Sequence, residues 1–539
     1  MKSDGAGSTI AFRDGKAQTV SFLINLYVDG IMVSVKRKIV RNTAANTFMK
    51  LWRYAVNFFL LPFIILHVGV EDYGLYLLVG AFVGYFGLLD LGVGASLVKY
   101  VAEYNAKGDK EMINKMVNST FVFYLGVGIA VCLGVMAIGY FFVDFFRIEE
   151  GSVELARAIA LMVAIGALTS WPIRSFTFSL QGLQRYDMNV LVDFITVTIT
   201  AAVTVTILLA GYGIIELIFT GIVVGAVGQI AKVILVQRMM PFLDLRKRYM
   251  GMKTMKMIFT FSSVVFATEI IWMLMMGLDR LVIGLFVGVA AVTFYYICRA
   301  LYDIVNTVAM LPISATLPAA SELVAQKDEK KLRSLVYRVG KYRAAAVLPI
   351  SISIIIFAKD ILRLWMGVDY IWLAPYVQLF VSYWFLGAAW GVLSNILLAR
   401  EKLRMMLNIY VVNAIINVFF SVTLTYLYGW VGVILGTLLG WATIAPWAMK
   451  TFLRGSKIPA REYFRNSLWP AYAPAGAMAL LLLGLRHFIV SEHILVVGTL
   501  GMLGLAVYFG LFYWKGLNGA ERAEIKTVFS KLIGKKNSA

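Results

Sequence analysis

Eight ionisable side chains stand inside long apolar runs of this sequence: Arg53, Asp90, Arg174, Glu269, the neighbours Asp279 and Arg280, and Arg299 with Asp303. A charge placed in such a run costs roughly 2.5–3.5 kcal/mol on insertion scales, so it faces a bundle interior or a watery cavity. Guanidinium groups stay charged at any working pH and bind phosphate oxygens through a planar fork, which makes Arg53, Arg280 and Arg299 the candidates for gripping an anionic group. Intramembrane carboxylates build ion and proton relays, and Asp90, Glu269 and Asp303 are the candidates for that role. Arg299 and Asp303, four apart on one helical face, read equally as a structural ion pair and as part of a binding site. Arg174 lies about six residues from the end of its run, where snorkelling to the interface is the simpler reading. Asp279 and Arg280 lie near a run boundary that water can reach.

The elements that position these groups are membrane spans. Hydrophobic residues make up 60% of the 539 and charged residues 15%, with a mean hydropathy of +0.80, against roughly 45–50% and about 25% in soluble domains. An all-α membrane protein of about fourteen transmembrane helices is expected, at roughly 44–68, 73–98, 117–143, 155–180, 190–210, 213–236, 257–287, 291–317, 342–362, 371–398, 406–427, 430–450, 468–490 and 494–514. Ahead of them, residues 20–34 read as a loose tail or an interfacial helix, and their charge order is the reverse of a signal peptide's. Cys132 and Cys298 both fall inside spans and serve packing. Glycines crowd span two at Gly80, Gly84, Gly87, Gly92 and Gly94, where they permit close helix approach or bending. Pro62, Pro172, Pro312, Pro318 and Pro349 interrupt hydrogen bonding in the spans.

Slid by 219 residues, the chain falls onto itself: Gly69 meets Gly288, Tyr76 meets Tyr295, Glu103 meets Glu322, Asp109 meets Asp328 and Trp171 meets Trp390. Matches of Trp and paired charges at one offset mark an internal duplication. Each copy holds an even number of spans, so both insert the same way up and are related by an axis along the membrane normal. The expected organisation is an N-terminal segment 1–40, a six-span lobe at 41–240, a second at 241–455, two extra spans within 456–516 and a basic tail at 517–539.

Lys and Arg crowd every second loop, as at Lys107, Lys110, Arg246, Lys330, Arg400 and Lys457, whereas the alternate loops are short or acidic, as at Glu71 with Asp72. That bias places both termini in the cytoplasm. The net charge of +20 is then a topology signal and an attraction to anionic lipid, and no aromatic-basic module supports nucleic-acid binding. His67, His487 and His493 are too scattered for a metal set, and neither a nucleophile motif nor a phosphate-cradling glycine loop occurs. No catalytic residue, metal or cofactor is therefore expected.

The run Leu89-Asp90-Leu91-Gly92-Val93-Gly94, continuing through Ser96, Tyr100 and Glu103 to Asp109, resembles the second-span signature of the Wzx-type oligosaccharide flippases of the multidrug/oligosaccharidyl-lipid/polysaccharide exporter superfamily. Gln181-Gly182-Leu183-Gln184-Arg185-Tyr186 and Asp279-Arg280 followed by Gly288 and Tyr295 agree with it. The resemblance covers about 41–455; spans thirteen and fourteen exceed the common twelve and match the lipid II flippase branch in number. It implies a central cavity lined by spans one, two, seven and eight, which carry most of the buried charges. It also implies a substrate, an oligosaccharide on a polyprenyl diphosphate, flipped across the cytoplasmic membrane for surface polysaccharides such as O-antigen. Membrane lipids and other polysaccharide-assembly proteins are the further partners it implies. Trp52, Tyr54, Tyr85, Tyr295 and Tyr296 could stack on sugar rings. Two other readings stay open: a cation or drug antiporter of the same superfamily, which would prefer an anionic cavity, and a membrane-embedded glycosyltransferase or polymerase using Glu71 and Asp72 in the first external loop.

The alternation of basic loops predicts that Glu71→Cys, Glu149→Cys and Ser491→Cys are labelled by an impermeant thiol reagent in intact cells, while Lys107→Cys, Arg248→Cys and Lys330→Cys are not. Reversal at either set overturns the orientation.

Overall fold

The computed structural model describes residues 42, 45–146, 148, 150–260, 262, 266, 278–314, 316–489 and 493–532. Glu269, about half of the seventh expected span and the stretch 20–34 lie outside them. Within them, twelve helices are long and apolar enough to cross a membrane, and a bent pair, Val368–Gly387 with Gly391–Ala399, makes a thirteenth crossing. The first half of the chain comprises α1 (Ala45–Val68), α2 (Val70–Tyr85), α3 (Val93–Lys107), α4 (Lys110–Phe145), α5 (Val153–Gly182), α6 (Tyr186–Leu209) and α7 (Ile214–Met239). The second half holds α8 (252–260), α9 (Leu278–Phe286), α10 (Val289–Ser314), α11 (Thr316–Ala325), α12 (Glu329–Ile356), α13 (Ala358–Trp365), α14 (Ala374–Gly387), α15 (Gly391–Ala399), α16 (Leu403–Tyr428) and α17 (Val431–Ser456). The chain then runs through α18 (Ala460–Tyr463), α19 (Trp469–Phe488), α20 (Ile494–Leu511) and α21 (Gly519–Leu532). Glu71 and Asp72 belong to the first turn of α2 rather than to a loop, where their charges complement the helix dipole.

The duplication is visible in backbone detail. Gly69 and Gly288 both take positive φ, 92° and 122°, at the turns into α2 and α10. Gly108 and Lys327 both adopt the left-handed conformation, and each is followed by an aspartate that caps the next helix: Asp109 accepts the Met112 N–H at 2.9 Å, and Asp328 the Lys331 N–H at 3.0 Å. That N–H, with the Lys331 ammonium beside it, holds the Asp328 carboxyl below the ordinary aspartate range. Further along, the left-handed residues Gln184 and Glu401 repeat at 217 rather than 219, as do the first residues of α6 and α16 and of α7 and α17. The copies thus differ by two residues within their fourth span, between the Trp171 and Trp390 pair and the span's end. The axis relating them passes between α2 and α10. A Cβ on Gly74 would meet the Val289 carbonyl, and Thr293, the mate of Gly74, donates to the carbonyl of Val70, the mate of Val289. Reciprocal contact of this kind is what a two-fold relation produces.

Prolines 172, 312 and 349 sit inside continuing helices. Two breaks fall elsewhere. In span two, α2 passes into a 3₁₀ turn, Phe86–Asp90, and then through Leu91 and Gly92, both at positive φ, into α3. In span ten, α14 stops at Gly387 and α15 starts at Gly391. Backbone carbonyls freed within hydrocarbon need partners, and at the second break they find them. Buried Arg343 donates to Gly387 O at 2.8 Å, Ala388 O at 3.0 Å and Ala309 O at 3.2 Å; Tyr463 donates to Ala389 O and Tyr472 to Phe385 O. The two extra spans are thereby docked against the second half, where α19 packs on α12 and α20 on α19.

Hydrogen bonds also tie basic loops together at one end: Asn114 and Asn118 bind the backbone of Phe242, Asp244 and Arg246, while Arg400 and Lys402 reach Ser456 and Gly455.

Arg343→Leu strands three buried carbonyls at about 1–3 kcal/mol each. We expect a loss of about 3 kcal/mol or more, seen as a lower melting temperature of the purified protein, with Arg343→Lys recovering part. An unchanged melt for the Leu variant would mean that the break is satisfied by other groups.

Candidate functional site

The first half encloses a cavity of about 700 Å³ between α2, α5, α6 and α7. Its walls combine aliphatic side chains such as Val83, Val163, Leu217 and Ile222 with glycines, Gly80, Gly84 and Gly87 from α2 and Gly221 and Gly225 from α7, and with the hydroxyls of Thr169, Ser170, Thr200 and Thr204. A Cβ built on any of these five glycines meets nothing within 4 Å. They therefore make room rather than bring helices together, contrary to the close-approach reading. Close approach does occur at Gly94, whose Cβ would strike the Phe178 ring at 2.4 Å, and at Gly74. Gln229 lines the cavity with its Oε1 buried and without a protein partner among the described residues.

A second cavity of about 390 Å³ shares Gly87 and Arg174 with the first and continues past Asp90, Gly92, Phe178 and Phe266. Arg174 stands at the join. Its guanidinium lies 3.8 Å from the Trp171 ring centroid, with Nη1 3.9 Å from Asp90 Oδ2. This side chain faces the cavities on the Trp171 face, which replaces the snorkelling reading. Asp90 in turn accepts the Tyr124 hydroxyl at 2.8 Å and the Gly94 N–H at 3.2 Å, so it pins span three and the first turn of α3 to the break. The Asp90-Leu91-Gly92-Val93-Gly94 run is thus one device: an acceptor, two left-handed residues, and a glycine against Phe178.

The sequence-derived candidates fall into separate places. Arg299 lies between two carboxylates, with Asp303 at 3.2 Å and Asp279 at 3.6 Å, and donates to the Tyr295 hydroxyl at 3.1 Å; Tyr295 donates to Asp279. The i,i+4 ion pair therefore forms, and Asp279 joins it from α9. Arg280, next in sequence, is partly buried within electrostatic reach of Tyr73, Tyr76 and Tyr296, and Tyr76 is a wall of the 700 Å³ cavity. Arg53 is exposed on α1. Of the aromatic candidates, Trp52 is committed to Thr198 and Phe194, and Tyr295 to Asp279. Tyr85 keeps a buried hydroxyl without a protein partner among the described residues. Sequence reasoning missed the ion pair Lys232 with Asp193, 2.7 Å apart between α6 and α7, and the buried Arg343 and Lys341. All four lie in or beside apolar runs, and the intramembrane-charge criterion applied evenly would have found Asp193 and Lys232. No group of three or more His, Cys, Asp or Glu positioned to hold a metal ion occurs among the described residues.

The two halves touch on both sides of these cavities. Toward the basic loops, Ser96 on α3 meets Ser262 at 2.8 Å and the Ile258 carbonyl. Toward the opposite end, Thr293 bonds Val70, and Trp365 donates to Phe58 O while its ring stacks on Phe58 at 4.2 Å. A helical bundle whose halves meet on both sides of a cavity lined by glycines, hydroxyls and aliphatic side chains defines a multi-pass α-helical membrane protein of transporter architecture. A family model described as polysaccharide biosynthesis protein matches residues 68–375, and the chain belongs to that family. A comparison with curated proteins finds no match. Among solved structures, the fold is similar to "Lipid II flippase MurJ, inward closed conformation" (13% identity, TM-score 0.69, 88% of this chain and 99% of that one). It is similar also to an inward-facing multidrug resistance MATE transporter of the MOP superfamily (13%, 0.58, 76% and 96%). A third is a MOP superfamily transporter from Pyrococcus furiosus, described as having a binding pocket of reverse polarity (17%, 0.51, 78% and 95%).

Glycines that make room and glycines that make contact should part on substitution. Gly80→Ala, Gly84→Ala and Gly225→Ala should hold or raise the melting temperature, since each adds up to about 1 kcal/mol of stability from helix propensity. Gly74→Ala and Gly94→Ala should lower it. Equal destabilisation across the set would mean that the cavity is absent from the folded protein.

Proposed function

We propose that this protein flips a polyprenyl-diphosphate-linked oligosaccharide across the cytoplasmic membrane by alternating access, serving cell-surface polysaccharide biosynthesis. The observation that carries this reading is the internal chamber of the first half: glycine-lined, edged with hydroxyls and a free amide oxygen, and marked by one guanidinium on an indole face. Sugars bind by hydrogen bonds and by stacking on aromatic faces. A hydrated head group cannot cross about 30 Å of hydrocarbon unaided, whereas the lipid tail need never leave the bilayer. Family membership and the likeness in fold to a lipid II flippase support the same substrate class.

In this reading the lobes are 41–240 and 241–455, with spans thirteen and fourteen in 456–516, and both termini are cytoplasmic. Arg53, Arg280 and Arg299 serve the diphosphate, with Arg174 added at the chamber join. Asp90, Glu269 and Asp303 are the ion-coupling groups. The contacts at the two ends open in turn. No step calls for a bond to be made or broken by the protein.

Arg53→Ala, Arg174→Ala and Arg280→Ala should each cut glycan export on the order of a hundredfold at unchanged protein level, with Lys variants retaining part. Replacing Arg299, Asp279 and Asp303 together by neutral residues decides the role of that cluster, because full export would remove Arg299 from the site. Alternating access predicts that disulfide or short-linker closure of Ser96→Cys with Ser262→Cys, or of Phe58→Cys with Trp365→Cys, stops export and that reduction or cleavage restores it. Export through either locked form overturns the mechanism.

A further inference from the structure

A further cavity of about 820 Å³ lies apart from the two described above, at the end where the basic loops gather. It is bounded by the first turns of α12, by the start of α19 and by the turn between α20 and α21. Two of its walls are π-helical turns, Phe464–Leu468 and Phe512–Gly516. Such bulges persist mostly where a function holds them, and here they carry Arg465 and Lys515 into the cavity.

The charge balance of this pocket is unequal in a definite way. Its carboxylates are already engaged: Glu329 by Arg400 through two bonds of 2.9 and 2.5 Å, and Glu521 by buried Lys341 at 2.5 Å. Glu524 nearby is held by Arg338. Lys330, Arg333, Arg465 and Lys515 line the same space and form no close ion pair among the described residues; Arg333 lies in the field of Glu329, which Arg400 already holds, and its Nε is buried without an acceptor. Converging cations that the protein does not neutralise call for an anion from outside.

The surroundings say where that anion comes from. Phe464, Trp469 and Trp514, beside the pocket on the same two helical turns, are each more than half exposed. Exposed aromatics at a helix end mark the level where hydrocarbon gives way to head groups. Basic pockets between spans at that level bind phosphoryl head groups. We propose that this pocket holds the phosphoryl head group of an anionic membrane lipid, clasping α12, the two extra spans and α21 together. The site is independent of the transported substrate.

The test uses the full-length protein, delipidated in detergent and titrated with phosphatidylglycerol or phosphatidylcholine, with retained lipid counted by native mass spectrometry. Each cation near a lipid surface contributes roughly fivefold in affinity, so Arg333→Gln, Arg465→Gln and Lys515→Gln together should weaken phosphatidylglycerol retention about a hundredfold and leave phosphatidylcholine unchanged. The exposed Lys515→Gln alone should give the single step, so the series reads out even if the triple variant does not fold. Neutralising Lys253, Lys256 and Lys450 instead should change little. Equal retention by the wild type and the pocket variants overturns the proposal. A pocket that binds inorganic pyrophosphate, sensitive to the same substitutions, yet retains no phosphatidylglycerol, overturns the lipid assignment in favour of a soluble phosphate.

Discussion

A backbone amide or carbonyl stranded in hydrocarbon costs enough that a membrane helix can break only where the protein supplies partners. This chain breaks two spans and supplies both breaks from the same structural positions. In the first half the break at Phe86–Gly92 is tied by Tyr124 and Arg174 through Asp90. In the second half the position 219 residues after Tyr124 is Arg343, and the position matching Asp90 is Ala309, whose carbonyl Arg343 binds. The third span thus contributes the tie in each copy, while the chemistry has been exchanged: a phenol reaching a carboxylate in one, a guanidinium reaching bare carbonyls in the other.

That exchange has a consequence for space. In the first half the carboxylate and the opposing arginine face each other across small side chains, and the glycines of α2 and α7 leave a chamber. In the second half Arg343 is itself buried among carbonyls. Trp390, the mate of Trp171, stacks on Trp441 at 5.0 Å, and α18 and α19 close over the break with Tyr463 and Tyr472. Among the described residues the two copies thus treat this space differently, with a cavity in the first and packed aromatic rings in the second. The contact between α2 and α10 lies on the axis itself, where Leu75 and Leu78 share one core with Val292 and Tyr295.

Burial of charge is apportioned accordingly. Arg299 is compensated by Asp279 and Asp303, and Lys232 by Asp193, so these pairs belong to the framework as much as to any ligand. Arg174 stands 3.9 Å from its carboxylate and lies over the Trp171 indole, without a closer ion pair among the described residues. The basic pocket by α21 continues the same logic at the membrane edge, where cations outnumber the carboxylates that the fold provides.

By itself the sequence determined the solvent of this protein, its all-helical class, most of its spans among the described residues, and its duplication. Hydropathy period, loop charge and repeat offset are local properties, and a bilayer leaves the backbone few alternatives. The Leu89-to-Gly94 run was legible as a motif, but its work was not, because a positive φ at Leu91 and a cap onto Gly94 exist only once the chain has turned. Only the tertiary structure decided that Arg174 meets Asp90 from 84 residues away, that Arg299 is shared by two carboxylates, and that five glycines face a void rather than a neighbour. Distances between spans depend on how helices cross. That crossing is set by side-chain packing summed over the whole bundle, which no single segment encodes.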